Sequence, residues 1–174
     1  MKIVLAADHR GFHTKERLKD FLLEQGHDVL DCGSNSDKSS DYPDFAVPAC
    51  LKVARNQAER AILLCGTGIG MSITANKVAG IRAALCHDEL SAEISRRHND
   101  ANALCLPADL LGDELVRRMV GAWLITPFDG GRHARRIRKV TAAERHLEGR
   151  SHEAPKAPAC RKRKAKGKGK GKGK

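Results

Sequence analysis

No run of about 18 apolar residues, the length a membrane-crossing helix needs, occurs in the sequence, so no segment is read as spanning a bilayer. There is no Cys-x-x-Cys. The six cysteines (Cys32, Cys50, Cys65, Cys86, Cys105 and Cys160) are scattered, which argues against a zinc site and against a disulfide framework. The dinucleotide fingerprint is missing too. Gly66-x-Gly68-x-Gly70 has the wrong spacing for GxGxxG, and no Walker lysine follows it. That weakens a nucleotide-binding module as the function. The opening Met1–Ala7 has the apolar character of a signal peptide, but Asp8-His9-Arg10 cuts it short and it reads better as a first strand. The expectation is a cytoplasmic protein.

Charge is abundant but segregated. The formal net charge is +11. Residues 150–174 hold eleven Lys/Arg against one acid, Glu153, a net of +10, which leaves +1 for residues 1–149. The boundary divides a folded domain, 1–149, from a basic tail, 150–174. Pro155, Pro158, the Arg161–Lys164 cluster and a Lys-Gly repeat give that tail nothing to build a core with, so disorder is expected there. Two readings of it stay open: salt-sensitive, nonspecific attraction to RNA, DNA or anionic surfaces, or a solubilising appendage. No aromatic residue is interleaved in the tail to stack on bases. A nucleic-acid-associated protein whose body is only a scaffold is therefore the weaker class.

What is present centres on Ala61–Lys77. Ala61-Ile62-Leu63-Leu64 is a short apolar run of the kind buried in a parallel sheet. It breaks at Cys65 into Gly66-Thr67-Gly68-Ile69-Gly70, and a helical segment, Met71–Lys77, follows. Strand, glycine loop and helix together leave backbone N–H groups aimed at an anion. Cys65 stands beside them, where a helix N-terminus favours a thiolate. A buried cysteine in a Gly-rich crossover is the plainer alternative.

Around this centre strands alternate with helices. Strands are expected at 2–7, 27–31, 80–86 and 103–106, and helices at about 12–25, 45–56, 88–97, 112–124 and 132–147. Pro48 is placed in the first turn of its helix, and Asp88 or Ser91 at the N-cap of another. The alternation predicts a doubly wound, Rossmann-like three-layer α/β sandwich on a mostly parallel five-stranded sheet. Right-handed crossovers then bring Asp8-His9, Cys65–Gly70 and the segment after Ala103–Leu106 to one edge. Arg132, Arg135 and Arg136 fall at helical spacing and suit phosphate, although spacing alone favours a solvated basic face. His98, near a helix terminus, and His9, beside Asp8, are each a candidate site residue, but taken alone His98 reads rather as a capping residue and His9 as part of a polar loop.

Taken in order, Ala7-Asp8-His9-Arg10-Gly11, Asp41-Tyr42-Pro43, Cys65–Gly70, Ala75-Asn76-Lys77, Gly80-Ile81-Arg82-Ala83, His98–Asn102 and Gly130-Gly131-Arg132-His133 resemble ribose-5-phosphate isomerase of type B. The wider family includes galactose-6-phosphate and allose-6-phosphate isomerases. The resemblance implies aldose–ketose isomerisation of a sugar phosphate through a cis-enediolate, with no metal and no redox cofactor. It implies Cys65 as the base, and Thr67 with the amides of Gly66, Gly68, Ile69 and Gly70 as the enediolate's hold. His98 with Asp8 would open the ring, and His9, Arg132, His133 and Arg136 would bind substrate, chiefly its phosphate, while Asn99 takes a hydroxyl. It also implies a homodimer, or a dimer of dimers, with residues shared across the interface. One departure stands out. Where the family usually has Gly-x-Arg, this chain has Pro107-Ala108-Asp109, an acid that repels phosphate unless an arginine pairs with it; the expectation is an altered sugar preference or weaker binding.

Overall fold

The computed structural model describes residues 1–148, so the expectations for residues 149–174 lie outside the described residues. Five strands alternate with six helices: β1 (Lys2–Ala7), α1 (Phe12–Glu24), β2 (Asp28–Asp31), α2 (Pro43–Ala54), β3 (Arg60–Cys65), α3 (Ile69–Ala75), β4 (Ala83–Leu85), α4 (Glu89–Asn99), β5 (Ala103–Pro107), α5 (Asp113–Ile125) and α6 (Gly131–Glu148). All strand pairs are parallel, in the order β2-β1-β3-β5-β4. The doubly wound expectation holds.

Successive strand residues point to opposite faces, and both faces are covered. Ile3, Leu5, Ile62, Leu64, Leu104 and Leu106 pack under Leu18 and Leu22 of α1 and Met119 and Trp123 of α5. Val4, Ala6, Leu63, Cys65 and Cys105 pack under Ala46, Ala49 and Cys50 of α2 and Met71 of α3. Each fully buried leucine contributes about 2 kcal/mol, so the register that puts Leu63 on one face and Leu64 on the other is strongly specified. Winding reverses between β1, from which the chain crosses to β2 on one side, and β3, from which it crosses to β4 and then β5 on the other. In such sheets the crevice at that switch point, beyond the carboxyl ends of the two strands, is where ligands bind. Here those ends carry Asp8-His9 and Cys65–Gly68.

Three local expectations are corrected. Pro43, at the start of α2, takes the first-turn place expected of Pro48, which instead lies inside the helix, where it removes an N–H from the ladder. The strand expected over 80–86 shrinks to Ala83–Leu85. The Asn102 side chain explains the loss at the start, accepting from Arg82 N–H (2.8 Å) and donating to Gly80 C=O (2.9 Å), so these two backbone groups bond a side chain rather than a neighbouring strand. His98 and Asn99 belong to the last turn of α4. Asp100 follows in the left-handed region (φ 46°) and gives its N–H back to Arg96 C=O, ending the helix two residues later than expected. Asp88, not Ser91, is the N-cap of α4, and the two close a reciprocal capping box.

Candidate active site

The strand-to-helix turn after β3 forms around a sulfur. Cys65 is buried, at 4% exposure, and its Sγ accepts the Gly68 N–H at 3.1 Å. Gly68 holds φ +71°, and a Cβ there would press within 3.2 Å of the Leu106 and Pro107 backbone. Only glycine fits without strain, and this conformation is what turns the N–H onto the sulfur. A donor so aimed stabilises negative charge on Sγ. The N–H groups of Gly66, Thr67 and Gly70 have no backbone partner among the described residues. Thr67 and Ile69 are exposed, so the loop opens to solvent beside a buried thiol. The Tyr42 ring lies against Gly70, which ties Asp41-Tyr42-Pro43 to the cradle.

Asp8 and His9 border the same crevice. Asp8 is buried and accepts from the N–H groups of Arg10 (2.9 Å) and Gly11 (3.2 Å) through Oδ1, an arrangement that fixes the carboxylate at the strand end. His9 Nδ1 lies 3.2 Å from Ser40 N–H and 3.1 Å from Ser40 C=O. Nδ1 is thus engaged by the Ser40 backbone, and Nε2, which has no partner among the described residues, is left for a ligand.

Asp109 comes to the crevice from the loop after β5. Its N–H donates to Gly66 C=O (3.0 Å), and Ala108 N–H to Cys65 C=O (2.9 Å). Its carboxylate pairs with Arg10, whose Nε and one terminal nitrogen reach the same oxygen at 2.8 and 2.6 Å. The arginine that the departure at Asp109 calls for is therefore present, from the loop after β1.

The remaining candidates gather elsewhere. His98 stacks flat on His133, ring centres 4.2 Å apart and planes 4° from parallel. Arg132 Nε donates to His133 Nε2 at 3.3 Å. Burial, then the charges of His98, Arg132 and Arg136, push the His133 pKa below its ordinary value, consistent with a neutral ring that accepts at Nε2. Asp129, which sequence reasoning passed over as a helix break, lies 4.0 Å from His98 Nε2 and pairs with Arg97 at 3.3 Å. His98, Asp129 and His133 bring ligand atoms within 4.8 Å of one another, but Arg97, Arg132 and Arg136 surround them with positive charge that suits a phosphate better than a metal cation. Asn99 and Arg136 are exposed beside this cluster.

Within one chain these two groups stand at opposite ends of the sheet. Arg82 donates to the carbonyls of Asn99 and Asp100 just before β4, and Asn102 C=O accepts from Ala61 at the start of β3. Cys65 closes the other end of that strand, about 13 Å away at ~3.3 Å per residue. The structure joins Cys65, Gly66, Thr67, Gly68, Ile69, Gly70, Asp8 and His9 in one place, and His98, Asn99, Arg132, His133 and Arg136 in another.

The fold is a doubly wound α/β domain with a glycine turn and a buried cysteine at its switch point, and a fold of this kind does not by itself fix an activity. The sequence model of the Ribose/Galactose Isomerase family matches residues 3–140, and the chain belongs to that family. It is 46% identical over 145 residues to the "Putative sugar phosphate isomerase YwlF" of Bacillus subtilis, covering 83% of this chain and 97% of that one. It is 44% identical over 143 residues to "Ribose-5-phosphate isomerase B" of Escherichia coli, covering 82% and 96%. The solved structure of Clostridium thermocellum Ribose-5-Phosphate Isomerase B superposes with a TM-score of 0.83 at 44% identity, covering 84% of this chain and 99% of that one.

Proposed function

We propose that this protein interconverts ribose 5-phosphate and ribulose 5-phosphate through a cis-enediolate, in a homodimer whose sites each draw on both copies. The observation that carries the reading is the Cys65 sulfur, buried at the carboxyl end of β3 and held under the Gly68 N–H at the wall of an open glycine cradle. In this scheme His98 of the second copy protonates the ring oxygen while Asp8 assists at the furanose. Cys65 as thiolate then takes the proton from C2 and returns it to C1, and the hydroxyl proton moves from O2 to O1. Thr67 and the amides of Gly66–Gly70 hold the oxyanion in between, the role of preorganised donors. His9 of one copy, and Arg132, His133 and Arg136 of the other, hold the phosphate, and Asn99 takes a hydroxyl.

The separation of the two groups within one chain supports the dimer. So does the apolar surface around the edge strand β4. Ile73 of α3, Leu90 of α4 and Val140 of α6 are each more than half exposed. A groove of about 700 Å³ is lined by Ile81, Ala84, Asn99, Ile137 and Val140 rather than by the cradle. An exposed edge strand flanked by apolar side chains favours cover by a partner, and here that cover brings Asn99 into contact with the second copy.

The test is isomerisation of ribose 5-phosphate by the full chain, with and without chelator, beside Cys65→Ala. Loss of a general base removes about 10²–10⁴ in kcat. Chelator-resistant turnover that falls by this factor in Cys65→Ala, with an unchanged Tm, is the expected result. Turnover confined to allose 6-phosphate or galactose 6-phosphate overturns the substrate, and unchanged kcat in Cys65→Ala overturns the base.

A further inference from the structure

We propose that Arg10 is a substrate-binding residue of this site, its guanidinium held by Asp109 across Gly66 so that it meets the phosphate of the sugar beside His9. The proposal rests on the isomerase reading and deepens it.

The arginine and the acid are 99 residues apart in sequence and meet over the first residue of the cradle. A Cβ built on Gly66 would lie 2.5 Å from Asp109 Oδ2 and 3.3 Å from Arg10 Nε. The pair therefore occupies the space that the missing side chain leaves, directly at the mouth. Stability does not account for it, because exposed ion pairs contribute little; the Arg10 side chain is 57% exposed. Its anchoring points instead to a fixed orientation. Asp109 is tied by backbone hydrogen bonds to Gly66 and, through Ala108, to Cys65, so its carboxylate keeps its place relative to the cradle.

The guanidinium is used only along one edge. Nε and one terminal nitrogen both donate to the same oxygen of Asp109, while the remaining donors have no partner among the described residues. Arginine presents five donors in a planar fork, and the unspent edge is the kind that grips phosphate oxygens. Cys65 and the glycine amides occupy the end of the crevice where C1 and C2 react. His9, next to Arg10 on the same loop, offers its Nε2 for an anion. Two donors from one loop then converge on the far end of the sugar. Arg10 also stands against both acids of the crevice mouth, its N–H donating to Asp8 and its guanidinium to Asp109. Without it, two carboxylates would confront a phosphate dianion. Asp109 is the positioning residue, and Arg10 is the one that touches substrate.

The experiment measures inorganic phosphate binding to the full chain by calorimetry, and KM and kcat for ribose 5-phosphate, in wild type, Arg10→Ala, Asp109→Ala and the double variant. A lost charge-assisted hydrogen bond corresponds to about a tenfold or greater loss of affinity. Arg10→Ala is expected to weaken phosphate binding and raise KM by about that factor, with kcat within about threefold and Tm unchanged. Asp109→Ala alone brings no gain in phosphate affinity. In the Arg10→Ala background it recovers several-fold, because the acid is then unpaired and repels the ligand. Phosphate binding that is the same in Arg10→Ala as in wild type overturns the proposal even where isomerisation stands, as does an equal effect of Asp109→Ala in both backgrounds. Arg10-dependent phosphate binding in a protein that isomerises no sugar phosphate supports the assignment and overturns the isomerase reading instead.

Discussion

If each site takes Cys65 from one copy and His98 from the other, two dead variants should rescue one another. Cys65→Ala and His98→Asn each disable every site of their own homodimer. In a mixed dimer, one site pairs the intact Cys65 of the His98→Asn copy with the intact His98 of the Cys65→Ala copy, and the other site lacks both. Equal amounts associating at random place about half of the chains in mixed dimers, each with one working site of two, so about a quarter of wild-type specific activity returns. Each parent falls by about 10²–10⁴ where a proton-transfer group is lost, so a quarter stands far above the background. Differently tagged variants, co-expressed and purified through both tags, are the material, and ribulose 5-phosphate formation is the readout; this doubly purified fraction should show about half of wild-type activity. The strand length sets the stakes, because Cys65 and the residues just before β5 are separated by about 13 Å of β3 and cannot grip one small sugar from a single chain. A doubly tagged dimer with no more activity than its parents refutes the shared site.

The Gly68 turn gives a second prediction. Gly68→Ala forces a Cβ onto a φ of +71° and against the backbone of Leu106 and Pro107, at a cost of about 1–3 kcal/mol. A lower Tm by calorimetry should come with reduced kcat, as the N–H leaves Cys65 Sγ. A third concerns acid stability. Lys15 is completely buried and bonds Glu16 and Asp31, both at 2.6 Å, with Lys19 beside them. Burial alone would raise the Asp31 pKa, but Lys15, Gly33 N–H and Lys19 together bring it below its ordinary value; Lys15 and Lys19 lower that of Glu16. Depressed carboxylates contribute stability that is present above their unfolded pKa of about 4 and lost as the pH falls through their folded values. Urea unfolding should show that decline in wild type and a shallower one in Asp31→Asn. Lys15→Met should destabilise by about 1–3 kcal/mol at neutral pH, because Asp31 and Glu16 each lose a charge-assisted hydrogen bond and keep only Lys19; a loss under about 0.5 kcal/mol would count against the network.

Much of this was legible from local pattern. The apolar run ending at Cys65 and the glycines after it define β3, the turn and α3 within two residues at either end. The alternation of strands and helices yields the sheet, because parallel strands buried on both faces read as unbroken apolar runs. What escaped depends on side chains meeting across long separations. Asn102 shortens β4 by bonding Gly80 and Arg82, some 20 residues away. Arg10 reads as one residue of a polar loop until the chain brings Asp109 to it. Lys15 lies on the buried face of α1 with Leu18 and Leu22, where pattern alone expects an apolar residue; only the position of Asp31 at the end of β2 explains a lysine there.

The division of the site into two halves has a simpler cause, and connectivity alone implies it. In a sheet of parallel strands joined by right-handed crossovers, every helix begins near the carboxyl ends and runs back to the amino ends. Asp8-His9 and Cys65–Gly68 lie in loops that lead from a strand into a helix, so they belong to the first edge. His98 and Asn99 close α4 and precede β5, so they belong to the second, and α6 packs against α4 to add Arg132, His133 and Arg136 there. No repacking of one copy brings the two edges together without breaking the sheet. Sequence reasoning that places helix-start loops on one edge must, by the same rule, place helix-end residues on the other. If both sets serve one substrate, a second copy is a geometric requirement of the chemistry rather than an addition to it. The short β4, with Ile73, Leu90 and Val140 exposed around it and Asn99 in the adjoining groove, is the side on which that copy should dock.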